Sequence, residues 1–302
     1  MRYTRIGGQA VIEGVMMRDG NDYAVAVRKP DHSIEVKRDQ YIGLNSRFHT
    51  GKIPIVRGVF AFIDSLILGM STLTYSASFY DDEEEEAQKT ARDNKKDSLV
   101  MGLTVAVSIA IAVLLFMLTP FFISAFIGRF IDNETILAVI EGVIRIGIFL
   151  VYIIAISRME DIQRVFMYHG AEHKTISCIE AGMELTPENA AKCSRLHKRC
   201  GTSFLMIVMV VSVVCFMMIR TDTMLTRVLL RVVLVPVIAG VSYEIIQWAG
   251  RSKSACVNII SAPGLALQKL TTREPDAEML EVAIASIEAI YDWRAFQTGD
   301  SD

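Results

Sequence analysis

The stretch SLVMGLTVAVSIAIAVLLFMLTPFFISAFI, residues 98–127, decides the class of this protein. It carries no charged side chain, and as a helix it is long enough to cross the roughly 30 Å hydrocarbon core of a bilayer. The chain as a whole is also apolar, since 52% of its 302 residues are hydrophobic and its mean hydropathy is +0.36, with the excess concentrated in a few long runs. These values exceed those of an ordinary soluble domain, so the sequence predicts a membrane protein.

Several other apolar stretches have the length of a membrane helix. Three of them are predicted to span the membrane, namely 136–157, 204–219 and 228–248. The stretch 53–79 is interrupted by Arg57 and Asp64, which favours an interfacial or bundle-packed helix and leaves a fifth span open. The predicted fold class is a polytopic α-helical membrane protein with about four transmembrane helices and a small cytoplasmic N-terminal β module.

Basic residues orient these spans, because loops rich in lysine and arginine stay in the cytoplasm. The loop after 136–157 contains Arg158, Arg164, Lys174, Lys192, Arg195, Lys198 and Arg199. We therefore expect this loop to be cytoplasmic, and with four spans both termini are cytoplasmic as well.

The chain divides into seven predicted segments. Strand-like runs at 23–28 and 33–38 flank a turn and predict a hairpin within the first segment. The segments are 1–52, a cytoplasmic β-rich module; 53–80, the interfacial or bundle-packed helix; 81–97, a charged linker; 98–157, transmembrane helices one and two; 158–203, a cytoplasmic loop; 204–248, transmembrane helices three and four; and 249–302, a cytoplasmic amphipathic tail.

The cytoplasmic loop contains YHGAEHKTI, residues 168–176, which fits the H-x-x-E-H pattern of inverted zinc peptidases. The surrounding segment 158–182 is predicted to be a helix, so His169 and His173 lie one turn apart on one face. Two imidazoles so spaced can bind one metal ion. Glu172 lies beside them as a candidate general base. The alternative is a histidine pair that makes only structural hydrogen bonds.

A third ligand has three candidates. Glu244 is a carboxylate among apolar residues of the last predicted span, where such a group usually has a partner or a task. His197 and Cys200 lie in CSRLHKRCGTS, residues 193–203. A helix start at Thr186 would also place Cys193 and His197 one turn apart on one face. The predicted cofactor is a divalent metal, with zinc as the expected ion.

Charged residues elsewhere have competing interpretations. Glu141, Arg145 and Arg231 lie within predicted spans, where they form an internal ion pair or line an ion path. Glu13 is a further ligand or substrate contact, or else an exposed turn residue. The net charge of −3, without a basic patch interleaved with aromatic residues, predicts no nucleic-acid partner.

Six ordered motifs resemble the bacterial YqhQ-like membrane-protein family, which has been described as a predicted metal-dependent enzyme. They are GGQAVIEGVMMR (7–18), IPIVRGVFAFIDSLILGM (53–70), YHGAEHKTI (168–176), HKRCGTSF (197–204), IAGVSYEI (238–245) and PGLALQKLTTREP (263–275). The motif match singles out Glu13, His169, Glu172, His173, His197, Cys200 and Glu244. Lys198 stands where the family pattern has proline. The resemblance implies a multi-pass protein of the bacterial inner membrane.

These features predict a membrane-embedded metal-dependent hydrolase at the cytoplasmic face, with membrane lipid and a peptide or lipid-linked substrate as partners. The first alternative is a metal-stabilised scaffold or assembly factor without catalysis. The second is a transporter, for which a homo-oligomer could supply a polar path through the bundle.

Overall fold

The computed structural model describes residues 3–80, 91–197, 199–219, 223–251 and 254–299. Most of these residues are helical, and a small antiparallel sheet lies at the N-terminal end. The chain divides into two compact units. The first comprises Met1–Tyr80, Ala155–Val208 and Val233–Asp302, and the second comprises Asp81–Ile154 and Met209–Val232. Within the predicted linker 81–97, residues 81–90 lie outside the described part.

The sheet contains four strands: β1 (Gly7–Val11), β2 (Gly14–Asp19), β3 (Asp22–Arg28) and β4 (Ile34–Gln40). Neighbouring strands pair antiparallel in the order β1-β2-β3-β4. The β3–β4 pair is the predicted hairpin, which is therefore confirmed. The two strands before it extend the hairpin into a four-stranded meander.

The helices follow one another in chain order. They are α1 (Leu44–Arg47), α2 (Val56–Ala77), α3 (Ala91–Val113), α4 (Thr119–Ile127), α5 (Glu134–Ile156), α6 (Glu160–Glu180), α7 (Pro187–Lys192), α8 (Gly201–Met217), α9 (Met224–Arg251), α10 (Ala255–Thr271), α11 (Ala277–Glu288) and α12 (Trp293–Thr298). A π-helical turn over Leu114–Leu118 joins α3 to α4.

Both faces of strands β2 and β3 are covered by helices, and successive strand residues point to opposite faces. On one face, Val15 and Met17 pack with residues of α6 and α11 in the main core. On the other face, Met16 packs in a second cluster with Leu68 of α2. The residues of β4 after Ile34 are exposed, so β2 and β3 form the buried part of the sheet.

The C-terminal segment contains the predicted amphipathic helix. Helix α11 begins beside Pro275 as expected, and Asp276 caps it by accepting the Met279 backbone N–H at 2.8 Å. Its apolar face is buried in the main core, where Val282 and Ile287 are fully enclosed. Residues 277–288 are thus a structural part of the first unit.

Four described helices are long and apolar enough to cross a membrane: Val56–Ala77, Gly102–Ile127, Glu134–Ile156 and Val228–Gly250. The number agrees with the prediction, but the membership differs. The ambiguous stretch 53–79 provides one of the four, whereas the predicted third span is the shorter α8, which has 17 residues. A helix of that length is at the lower limit for a span.

The three charged residues that lie within predicted spans, Glu141, Arg145 and Arg231, form one buried cluster in the second unit. Glu141 Oε1 accepts hydrogen bonds from Arg145 Nη2 at 2.7 Å and from Arg231 Nη1 at 2.6 Å. Glu141 Oε2 accepts a further bond from Arg231 Nη2 at 2.8 Å. The internal ion pair predicted between the second and fourth apolar segments is confirmed, and it includes both arginines.

Candidate metal centre

Helix α6 carries the two histidines of the H-x-x-E-H motif on one face, with ring centroids 4.4 Å apart. Each ring is fixed through Nδ1, which donates a hydrogen bond to a backbone carbonyl. The acceptor for His169 is Thr271 O at 2.8 Å, and the acceptor for His173 is Arg195 O at 2.7 Å. This arrangement sets the tautomer and leaves both Nε2 atoms available as metal ligands.

Cys200 completes a group of three possible ligands with these histidines. Its Sγ lies 3.1 Å from His169 Nε2, and the ligand atoms of all three residues lie within 4.8 Å of one another. Cys200 is buried, and burial alone would raise the pKa of its thiol. The charge and hydrogen bonds of His169 and His173 outweigh that effect and hold the pKa well below its usual value.

Glu172 is enclosed beside the three-ligand group. Its side chain is almost completely buried, and its Oε2 has no hydrogen-bond partner among the described residues. Burial raises the pKa of this carboxyl, although the neighbouring His173 and His169 oppose the shift. An unsatisfied buried carboxylate oxygen is costly. Glu172 therefore lies beside three side chains that could hold a cation, and one of its oxygens has no partner in the described structure.

Two glycines let backbone segments approach the site. A Cβ on Gly170, within the motif, would lie only 2.0 Å from Arg273 O. The absence of that carbon lets the chain after α10 run along α6, which brings the Thr271 carbonyl to His169. A Cβ on Gly8 of strand β1 would lie 2.8 Å from Glu172 Cγ. The N-terminal GGQ motif therefore packs directly against the motif glutamate.

His197 lies beside the group but has another partner. Its ring centroid is 5.9 Å from that of His173, while its Nε2 lies 3.4 Å from Glu180 Oε2. Gln268 holds the His197 backbone by accepting its N–H at 2.9 Å and donating to its carbonyl at 2.7 Å. His197 is therefore a neighbour of the three-ligand group and not a member of it.

The predicted common face of Cys193 and His197 is wrong. The helix does start with Thr186 as its cap, but it ends at Lys192, and Cys193 is already extended backbone. The Cys193 thiol lies near Met183 Sδ, at 3.9 Å, instead of facing the histidines. The helix has fewer than two turns and ends before Cys193 and His197, so helical spacing does not relate these two residues.

Glu244 and Glu13 form ion pairs away from this group. Glu244 accepts hydrogen bonds from Nε and Nη2 of Arg57, the former at 2.7 Å. Glu13 pairs with Arg164 in the same two-point manner, and its Oε2 also accepts the Tyr168 hydroxyl at 3.3 Å. Neither carboxylate belongs to the three-ligand group in the described part of the chain. Each instead fastens two segments of the first unit together.

The sequence missed three contributors to the site. The carbonyls of Thr271 and Arg195 are backbone atoms, which no residue pattern reveals. The contact between Gly8 and Glu172 joins positions far apart in the chain. The paired glycines at positions 7 and 8 were a visible sign of close backbone approach, but they do not identify what approaches.

Comparison with known proteins gives this chain a family. Residues 53–293 match the family described as "Protein of unknown function (DUF1385)". The chain is 36% identical over 289 residues to "Uncharacterized protein YqhQ" of Bacillus subtilis (strain 168). The aligned region covers 93% of this chain and 90% of that protein. No solved structure matches. The chain therefore belongs to the DUF1385 family, in agreement with the YqhQ-like resemblance of its six motifs.

Proposed function

We propose that this protein is a zinc-dependent hydrolase that acts at the cytoplasmic face of the bacterial inner membrane. One observation carries the proposal: ligand atoms of His169, His173 and Cys200 lie within 4.8 Å of one another, and the Nδ1 atoms of both histidines are bound to backbone carbonyls. Metal-bound histidines in proteins commonly have such second partners. The proposed ligands are these three residues, without Glu244.

The donor set favours zinc, because imidazole nitrogen and thiolate sulfur suit this ion. Three protein ligands with a fourth position open are typical of catalytic zinc, whereas structural zinc usually has four. Zinc in such a site supplies Lewis acidity and activates water near neutral pH.

Glu172 is the proposed general base. It precedes His173 on α6 and has an oxygen without a partner in the described structure, so it can accept a proton from an attacking water. Its raised pKa, caused by burial, would make it a stronger base toward that water, and the proton taken up would then pass to the leaving group. Its Cγ packs close to Gly8 of strand β1.

The proposed topology has four membrane crossings and follows from what packs on the sheet. The sheet, α6 and α11 share one core, so they belong on one side of the membrane. An even number of crossings must therefore separate them, which α3–α4 with α5, and α8 with α9, supply. Helix α2 packs Leu68 against the sheet and stays on that side. The basic loop argues that this side is cytoplasmic.

Metal analysis of the purified full-length protein tests the site. Wild type should contain about one zinc per chain, and His173→Ala should lose most of it. Glu172→Gln should keep the metal. Wild type should also hydrolyse at least one member of a panel of membrane-proximal peptides and short-chain lipids, and Glu172→Gln should not. Wild type without bound metal would refute the proposal.

A metal-stabilised scaffold is the second candidate function. The three proposed ligands come from α6 and from the connection between α7 and α8. Their carbonyl partners are Arg195 of that connection and Thr271 at the end of α10, so one ion would hold several segments together. This function predicts that Glu172→Gln preserves the phenotype of the cell while His173→Ala abolishes it. The hydrolase predicts loss from both variants.

A further inference from the structure

A basic groove lies in the first unit next to the proposed metal ligands. It has a volume of about 490 Å³ and is open to solvent, and its lining includes Arg195, Lys269, Leu270, Thr272, Arg273 and Glu274. Three of these six side chains are cations and one is an anion. The groove is therefore suited to a ligand with negative charge.

The groove and the metal ligands share two backbone segments. The carbonyl of Arg195 accepts the His173 Nδ1–H, and the carbonyl of Thr271, which precedes Thr272, accepts the His169 Nδ1–H. Side chains of the same segments line the groove, and Arg195 also donates to Thr272 Oγ1 at 2.9 Å. The backbone carbonyls that orient both histidines thus belong to residues that line the groove or directly precede a residue that lines it.

The positive charge of the groove is only partly neutralised. Arg273 donates to Gln163 Oε1 at 2.8 Å and to Ser157 O at 3.0 Å, both of which are uncharged. Lys269 is exposed and forms no ion pair within the described residues. Arg195 shares the single carboxylate of Glu274 with Lys174, at 3.2 and 2.9 Å. The cations therefore outnumber the carboxylate, and the surplus attracts an anion.

The Glu274 carboxylate shows which kind of anionic group these cations bind. It is an exposed anion whose two oxygens are bound by a guanidinium and an ammonium, the groups that also bind phosphate. Apolar surface lies beside the cations, because Leu270 is 37% exposed. Ser157 directly follows the last residue of α5, a helix apolar enough to span a membrane, so the Arg273 guanidinium is expected at headgroup depth.

We propose that Arg195, Lys269 and Arg273 bind a phosphate group in this groove, beside the metal ligands. If the proposed hydrolase function holds, the bound phosphate belongs to the substrate, and the substrate is a phosphate-bearing molecule at the membrane surface. That assignment rests on the proposed function. Binding itself requires only the groove. The phosphate belongs either to a lipid headgroup or to a soluble compound, and the two sources differ in whether they need acyl chains.

Calorimetry on the full-length protein in detergent tests the groove with dihexanoyl phosphatidylglycerol, inorganic phosphate and, as a zwitterionic control, dihexanoyl phosphatidylcholine. Phosphatidylglycerol should bind more tightly than phosphatidylcholine. Lys269→Glu, which breaks no contact in the described structure, should weaken that binding about ten-fold or more. Arg273→Ala should act in the same direction. Arg38→Ala removes an exposed cation from β4 and should leave binding unchanged.

The outcomes separate the two sources and the two proposals. Binding of the anionic lipid without binding of inorganic phosphate identifies a headgroup site, whereas equal binding of both identifies a site for soluble phosphates. Lipid binding retained in metal-depleted His173→Ala would support the groove even if hydrolysis were never found. No binding of either anionic probe, or equal binding by wild type and Lys269→Glu, would overturn the groove proposal.

Discussion

Arg57 and Glu244 form a two-point ion pair within the first unit, with Arg57 Nε donating to Glu244 Oε1 at 2.7 Å. Each of these two residues is a charge in or beside an apolar stretch of the sequence, and each is the counter-charge of the other. A carboxylate of this kind, predicted as the third metal ligand, instead stabilises a contact between α2 and α9. The same contact brings Gly58 against Gly240, where a Cβ would lie 2.8 Å from the Gly240 carbonyl oxygen.

Glu244→Gln should leave the zinc content at the wild-type level and lower the free energy of unfolding by roughly 1–3 kcal/mol, because a charged two-point hydrogen bond is lost. Metal analysis and thermal unfolding in detergent measure the two effects. Loss of zinc from this variant, with its melting temperature unchanged, would restore Glu244 as a ligand.

Cys200→Ser should reduce the affinity for zinc by at least about ten-fold, because the thiolate ligand is replaced by a hydroxyl. Cys193→Ser is the matched control. Its thiol faces Met183, so its zinc content should equal that of wild type. Titration with a competing chelator measures both affinities, and equal losses in the two variants would contradict the ligand assignment.

Gly8→Ala should destabilise the protein by about 1–3 kcal/mol, because its new methyl group meets Glu172 Cγ, Met16 O and Met17 Sδ at 2.8 Å each. Gly7→Ala is the control from the neighbouring position, since nothing lies within 4 Å of its Cβ. Unfolding temperatures of the two variants are compared directly. A similar change in both would mean that strand β1 does not pack on the motif helix as described.

Glu141→Gln should destabilise the second unit by roughly 3–5 kcal/mol, because it leaves Arg145 and Arg231 buried without their shared counter-charge. Glu134→Gln changes an exposed glutamate at the start of the same helix and should have little effect. Thermal unfolding of both variants and of wild type in detergent measures the change in stability. Normal stability of Glu141→Gln with a lost transport phenotype would instead favour an ion path.

Glu180 should make stability depend on pH in the acid range. Burial alone would raise the pKa of its carboxyl, but the hydrogen bond and charge of His197 and the charge of Arg199 lower it overall. A carboxyl with a depressed folded pKa stabilises the protein above its unfolded pKa, and the benefit disappears as pH falls through the folded value.

The stability difference between wild type and Glu180→Gln should therefore be largest near pH 7 and shrink as the pH falls below about 4.5. Thermal unfolding of both proteins from pH 7 to pH 3 measures this difference. A difference that stays constant over the whole range would mean that the Glu180 charge does not contribute.

Local patterns in the sequence predicted many of the elements. Apolar length predicted the long helices within 98–127, 136–157 and 228–248, and the alternation in 23–28 and 33–38 predicted the β3–β4 hairpin. The one-turn spacing of His169 and His173 followed from helical geometry, because neighbours on α6 are fixed by the chain itself. Charges inside apolar stretches similarly predicted the Glu141 cluster, since an unpaired buried charge is too costly.

Only the tertiary structure decided which distant groups meet. The sequence offered Glu244, His197 and Cys200 as candidates for the third ligand. Packing placed the Cys200 sulfur near His169, whereas Glu244 is paired with Arg57 and His197 with Glu180. Packing also buried the apolar face of the predicted C-terminal amphipathic helix in the main core. The physical reason is that the residue type determines which groups a side chain can bind. Which group it meets depends on where distant backbone segments pack closely, as they do at Gly8 and Gly170, and no local pattern encodes that packing.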